Sequence, residues 1–227
     1  MTQFQTHHFE RTVRYLSLRS TQISSLKQYA NLYTTNLYVL DIGNVPLAEN
    51  VNKFALASLG QLKQLYMDNC SLIEIPSLLD LQNLKLINLS TNNIPTVYSR
   101  DFQGLSLLQR LDLSNNPITV IQEGAFNRLE SLQYLSISNT RLTSLSESVL
   151  GANQELVNIN LSGNKWNCNC DSVWLASWVN NNLKQCSLES GLKSTVRSKC
   201  CGRLRNLNKT SRKGNCENFT FWGCFSE

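Results

Sequence analysis

Side chains able to do chemistry are few in this chain and unevenly placed. The two histidines, His7 and His8, are adjacent and near the start. General acid–base catalysis and many metal sites lean on imidazole, so both lose their usual agent. Their place ahead of any repeated sequence marks them as a solvated tail or N-terminal packing. No glycine-rich phosphate loop occurs. Thiols are the remaining reactive groups. Of eight cysteines, seven lie beyond residue 167: Cys168, Cys170, Cys186, Cys200, Cys201, Cys216 and Cys224. The single residue between Cys168 and Cys170 is too short for a zinc half-site, which usually leaves two to four. Such density reads as a disulfide-stapled module from an oxidising compartment. Cys70 stands alone and fits a small buried thiol. The expectation is a protein that is not an enzyme and holds no cofactor or metal.

The elements that position these groups must come from a chain of 227 residues with 41% apolar residues and a net charge of +5. That is enough apolar sequence for a packed core. No apolar stretch approaches the ~18 residues of a membrane helix. Residues 1–8 lack the basic start and apolar run of a signal peptide, so a mature or recombinant fragment, or an unconventional start, is expected. Nine Lys or Arg and one acid, Glu189, fall between Lys184 and Lys213, while the rest of the chain is slightly acidic.

The pattern L-x-x-L-x-L-x-x-N-x-L fits seven times, starting at Val13, Leu37, Leu62, Leu84, Leu108, Leu132 and Leu156, with steps of 24, 25, 22, 24, 24 and 24 residues. The clearest copy is Leu108, Leu111, Leu113, Asn116 and Ile118. Leu-x-Leu is period-two alternation, a short strand with one face inward. One such unit cannot bury its apolar side, and stacking builds a continuous core. The ninth position reads Thr21, Val45, Cys70, Asn92, Asn116, Thr140 and Asn164. An inward Asn there must find backbone partners. Val45 has no hydrogen-bonding side chain, so a local irregularity is expected at the second repeat. Phe102 and Phe126 stand six residues before the next repeat.

This repeat resembles the leucine-rich repeat superfamily, in its 24-residue extracellular class. The resemblance, which Phe102 and Phe126 share in, implies an α/β horseshoe solenoid with a parallel concave β-sheet and mostly loops and short helical turns on the convex side. After the last repeat, Asn164-x-Trp166-x-Cys168-x-Cys170, then Trp174-Leu175, Trp178 and Cys186, resemble the cysteine-rich C-terminal cap of Slit, Toll and proteoglycan-type proteins. That likeness implies a helical cap. It also implies the pairings Cys168–Cys186 and Cys170–Cys200 or Cys170–Cys201. Asp171 suits a helix N-cap, and Trp174 with Trp178 and Leu175 with Val179 share one helical face. The expected organisation is a tail or partial cap over 1–12, seven repeats over 13–166, and a cap with basic extension over 167–227. No cysteine cap precedes Val13. Only Phe4 and Phe9 are at hand to cover the first strand, so upstream sequence or a partner is expected there.

Seven cap cysteines leave one over, which in a secreted protein suggests a free thiol or a disulfide-linked homo- or heterodimer. The vicinal Cys200-Cys201 after repeats and cap is similar to the mosquito leucine-rich immune proteins, which pair covalently through this region. Five N-x-S/T sequons, at Asn69, Asn88, Asn160, Asn208 and Asn218, fit a secreted or ectodomain glycoprotein. Asn88 and Asn160 fall on the concave sheet, where a glycan would obstruct binding.

Outward strand positions form the expected binding surface. They carry Arg14, Tyr15 and Arg19, then Tyr38 and Asp41, then Lys63, Gln64, Tyr66 and Asp68. Lys85, Asn88, Gln109, Arg110, Asp112, Gln133, Tyr134, Asn158 and Asn160 continue the series. Tyr15, Tyr38 and Tyr66 suggest an aromatic patch, and tyrosine and arginine dominate interface hot spots. Arg110, Asp112 and Tyr134 are a second candidate, unless Arg110 and Asp112 pair with each other. Seven strands span roughly 30 Å, which suits a protein or microbial surface component rather than a deep pocket. The basic segment with Arg203, Arg205, Arg212 and Lys213 can attract sulfated glycans. Nucleic acid is not expected, because no aromatic platform interleaves the charges. Innate immune recognition is the leading functional expectation; the alternative is a matrix, adhesion or guidance protein.

Overall fold

The computed structural model of the chain describes residues 13–23, 36–47, 51, 56–167, 174, 175 and 178. In chain order the elements are β1 (Tyr15–Ser17), β2 (Val39–Asp41), β3 (Gln64–Tyr66), β4 (Leu86–Asn88), β5 (Thr96–Val97), β6 (Arg110–Asp112), β7 (Val120–Ile121), β8 (Tyr134–Ser136), α1 (Glu147–Leu150) and β9 (Asn158–Asn160). Each repeat start found in the sequence is followed by one strand. Those seven strands form a single parallel sheet in the order β1-β2-β3-β4-β6-β8-β9. The register never slips: Leu16, Leu40, Leu65, Ile87, Leu111, Leu135 and Ile159 are consecutive partners across it. These central residues point into the core, and their neighbours face outward. Among the described residues the other side carries the two-stranded β5–β7 pair and the four-residue α1, in line with the loops and short turns expected there.

The core is laid down in rows. The first, fourth and sixth positions are buried leucine, isoleucine or methionine in most copies, and the row six residues before each repeat contains Leu56, Leu78, Phe102, Phe126 and Leu150. Phe102 and Phe126 meet with ring centroids 5.9 Å apart and planes tilted by 40°, a favourable offset arrangement. Three residues before each repeat come Leu59, Leu81, Leu105 and Leu129, and then Asn153. Asn153 donates from Nδ2 to the carbonyls of Phe126 at 2.9 Å and Leu129 at 3.2 Å.

After each strand the chain must turn sharply. The residue at the eighth position does this with a left-handed backbone in every copy: Ser20, Asn44, Asn69, Thr91, Asn115, Asn139 and Gly163, with φ between 51° and 69°. Asn and Gly tolerate that conformation, which accounts for their recurrence. The turn leaves the sixth-position carbonyl facing the interior, and the ninth-position side chain answers it. Asn116 Nδ2 donates to Leu89 O at 2.9 Å and Leu113 O at 3.0 Å, while its Oδ1 accepts from Ile94 N at 3.1 Å. Asn92 and Asn164 repeat the scheme. Cys70 does half of it, with Sγ donating to Ile42 O at 3.1 Å. Burial pushes its thiol up to about 11, so Cys70 stays protonated and acts as a donor.

The irregularity expected at Val45 does not occur in the described part of the second repeat. Val45 is fully buried, and Asn44 turns like its counterparts. The carbonyl that an Asn at 45 would serve, Leu18 O, already accepts from Thr21 Oγ1 at 2.7 Å. Leu47 N donates to the backbone carbonyl of Cys70 at 2.9 Å. Partners from both neighbours thus replace the missing side chain.

Closure of the far end is partly visible. Trp174, Leu175 and Trp178 are helical and pack against the core with Trp166. Trp174 Nε1 donates to Leu145 O at 3.1 Å. The seven cap cysteines, Asp171, Val179, and sequons Asn208 and Asn218 lie outside the described residues, as do His7, His8, Phe4 and Phe9.

Replacing Asn116 with alanine strands Ile94 N and several carbonyls in the core. The expected cost is about 3 kcal/mol in chemical denaturation. A loss within experimental error would show that the ladder is not what holds the turns.

Candidate functional site

The concave sheet offers two strips of different character, one along the strand starts and one along the strand ends. At the strand ends most polar groups are occupied internally. The fifth-position side chain accepts the seventh-position amide in Asp41–Gly43 at 3.0 Å, Asn88–Ser90 at 3.1 Å, Asp112–Ser114 at 3.0 Å and Asn160–Ser162 at 3.2 Å. This is the local Asx turn that short amide and carboxylate side chains favour. Asp112 also accepts from Ser114 Oγ at 2.6 Å. Asp41, Asp112, Asn88 and Asn160 therefore have a turn-forming role that reading them as outward positions missed. The i to i+2 spacing was the available signal.

Arg19 ties three repeats together. Its Nε donates to Asp41 Oδ2 at 2.8 Å, and its two terminal nitrogens reach both oxygens of Asp68 at 3.0 and 2.8 Å. The paired carboxylates hold its guanidinium well above the usual arginine range. Asn88 Nδ2 adds a bond to Asp68 Oδ1 at 3.2 Å, so the network runs from β1 to β4. Gly43 makes room for it. A Cβ on Gly43 would stand 2.4 Å from Arg19 Cζ. Asp41 and Asp68, expected as ligand contacts, are here the two ends of an internal clamp.

The three tyrosines occupy different rows. Tyr15 is 61% exposed on the edge strand. Tyr38 lies beneath two cations, with Arg14 Cζ 4.8 Å and Lys63 Nζ 4.4 Å from its ring centroid. Tyr66 donates its hydroxyl to Gln64 Oε1 at 3.1 Å. Among the described residues these tyrosines make no ring-to-ring contact with one another. Arg110 and Asp112 do not pair. Arg110 Cζ sits 3.9 Å from the Tyr134 ring centroid on the next strand, while Asp112 turns to Ser114. Of the described sequons, Asn69 is exposed in its turn with Nδ2 donated to Asn44 Oδ1 at 2.9 Å. Asn88 is half-buried with Nδ2 engaged by Asp68, and Asn160 is exposed. An open recess on the convex side, lined by Arg100, Gln103, Asn127 and Arg128 among others, lies away from all these residues.

The Gly43 site yields a sharp test. Gly43→Ala must displace the guanidinium, so it costs about 1 kcal/mol, the scale of a part-exposed clamp. In an Arg19→Ala background the same change costs almost nothing. Additive losses in a denaturation cycle would contradict the clamp.

A family profile described as a leucine rich repeat matches residues 76–118 and 106–165. Human leucine-rich repeat-containing protein 4C is 54% identical over 140 residues, covering 62% of this chain and 22% of that protein. Leucine-rich repeat-containing protein 4 of Rattus norvegicus is 45% identical over 168 residues, 74% of this chain and 24% of that one. Leucine-rich repeat-containing protein 4B of Mus musculus is 46% identical over 166 residues, 72% and 22% respectively. The chain thus spans less than a quarter of the length of these relatives. A solved structure, the TLR13–ssRNA13 complex, superposes with a TM-score of 0.60 at 24% identity, covering 69% of this chain and 26% of that one. That likeness concerns the fold alone. Seven registered repeats, one uninterrupted parallel sheet and these likenesses agree on a leucine-rich repeat solenoid as the fold of this chain.

Proposed function

We propose that this chain is an extracellular recognition module that binds a protein ligand on its concave sheet. The observation that carries this is the sheet itself. It is a continuous seven-stranded surface with Arg14, Tyr15, Lys63, Lys85, Gln109 and Gln133 exposed and projecting from a rigid array. Rigid presentation lowers the ordering cost of binding. Arginine and tyrosine, both present on this face, are the residue types that most often anchor interfaces. The extracellular setting is supported by the cysteine density and the five sequons. Among the described residues no helix is long and apolar enough to cross a membrane. The Cys200-Cys201 pair favours an innate immune setting with a covalent partner. The basic 184–213 segment supports the second reading, an adhesion or matrix protein that also holds sulfated glycans.

Asp112→Asn tests the concave face, because it creates an Asn-Leu-Ser sequon in the middle of the sheet. Expressed in a secretory eukaryotic host, the glycosylated variant should lose at least about tenfold in affinity for a ligand selected from a panel of cell-surface ectodomains. Amidase deglycosylation returns aspartate at 112 and should restore binding to the level of wild type treated in the same way, which controls for the sequons at Asn88 and Asn160. Unimpaired binding with the glycan in place would move the site off this face. Separately, non-reducing gels of the secreted chain should show a dithiothreitol-sensitive species of higher mass. A monomer in both lanes, from cells with and without the ligand, would remove the covalent-partner reading.

A further inference from the structure

We infer that the strand-start strip of the concave sheet is a docking track for an extended acidic segment of the protein ligand, one in which acidic residues alternate with apolar ones. This rests on the concave-face reading above and specifies the chemistry of what lies there.

The track is defined by backbone bonds. Tyr38 N donates to Arg14 O, Lys63 N to Tyr38 O, Lys85 N to Lys63 O, Gln109 N to Lys85 O and Gln133 N to Gln109 O, all between 2.8 and 2.9 Å. The second positions of six successive repeats therefore form one row with a step of about 4.8 Å. Arg14, Lys63 and Lys85 lie in that row, and Arg110 sits one residue further on in the fifth repeat. None of the four makes an ion pair among the described residues. The ion pairs found there both belong to Arg19, on the strand-end strip. The carboxylates of Asp41, Asp68 and Asp112 are held on that same far strip by the clamp and the Asx turns. The sheet is thus zoned across its width, with free cations on one side and occupied acids on the other.

Two features select a peptide over a sulfated glycan. Two of the three aromatic rings beside the track already hold cations, since Tyr38 carries Arg14 and Lys63, and Tyr134 carries Arg110, while Tyr15 stands exposed at the edge strand. A ring so used supports and orients a cation instead of offering a platform for a sugar. The adjoining third-position row also holds Tyr15, Val39 and Leu86, which solvent reaches. A polyanionic sugar has little apolar surface to set against them. A peptide whose acidic residues meet the cations can place its intervening apolar residues there. Gln109 and Gln133 extend the row with amides suited to its backbone.

The test uses the full secreted chain and a fluorescein-labelled synthetic peptide of alternating glutamate and leucine or phenylalanine, read by fluorescence anisotropy at low ionic strength. Wild type should bind it, and binding should weaken as salt rises. The doubly substituted Lys63→Glu, Lys85→Glu chain, with unchanged circular dichroism, should bind at least about tenfold more weakly. Neutralising Arg203, Arg205, Lys209 and Arg212 to glutamine should leave that affinity within about twofold. A heparin-derived decasaccharide should not displace the peptide from the tail-neutralised chain. The track is overturned if wild type does not bind, if the double variant binds equally well, if only the tail variant loses binding, or if the decasaccharide displaces the peptide. If the double variant holds the selected protein ligand like wild type while the glycan at position 112 still blocks it, the track fails and the concave-face reading stands.

Discussion

Each turn of this solenoid aims a backbone carbonyl at the interior, and everything else depends on that carbonyl finding a donor. An unpaired polar group in a core costs as much as a good contact contributes. Asn92, Asn116 and Asn164 answer with a side chain that donates to two successive repeats and accepts from a third group. The bond runs along the stack, so it fixes the register of each strand against the next. Cys70 and Thr21 show that the requirement is for a donor rather than for asparagine. Val45 shows that even this is unnecessary once the neighbours have supplied the partners.

That constraint also shapes the outer face. A chain that turns within a few residues of every strand takes a left-handed residue at the eighth position in all seven repeats, and in four of them an Asx acceptor at the fifth. The acceptors are Asp41, Asn88, Asp112 and Asn160, which makes the strand-end strip mainly a structural surface. Arg19 then neutralises much of the acidity there by spanning Asp41 and Asp68, at a place where Gly43 leaves the space. The strand starts carry no such burden. Their side chains point away from the turns, so arginine, lysine, glutamine and tyrosine stand there without a turn to hold. The difference between the two strips follows from where the chain has to bend.

Close packing behind the sheet fills the interior of the described repeats. Core rows run the length of the array, with Leu56, Leu78, Phe102, Phe126 and Leu150 filling the convex side behind the sheet. Close packing leaves recognition to a broad surface. Such a surface suits macromolecular ligands and gives the relatives of this chain a common scaffold without dictating a common partner.

The repeat spacing by itself determined the number of strands, their parallel order and the inward row, because period-two alternation repeated at a nearly constant step admits one way of burying its leucines. Residue type marked Cys70 as a small buried thiol, and helical spacing put Trp174, Leu175 and Trp178 on an apolar face. Tertiary structure alone decided which outward residues are available. Arg19 and Asp68 are 49 positions apart in the chain, yet they form a bidentate pair, and Tyr38 is covered by cations from the strands on either side. Neither relation leaves a local pattern, since each depends on how long side chains cross from one repeat to the next. Asp112 and Arg110 show the same limit: adjacent in outward spacing, they part because one satisfies its own turn and the other lies over a neighbouring ring. Periodicity places a residue on a face, and only the packed neighbours determine whether that residue is still free to meet a ligand.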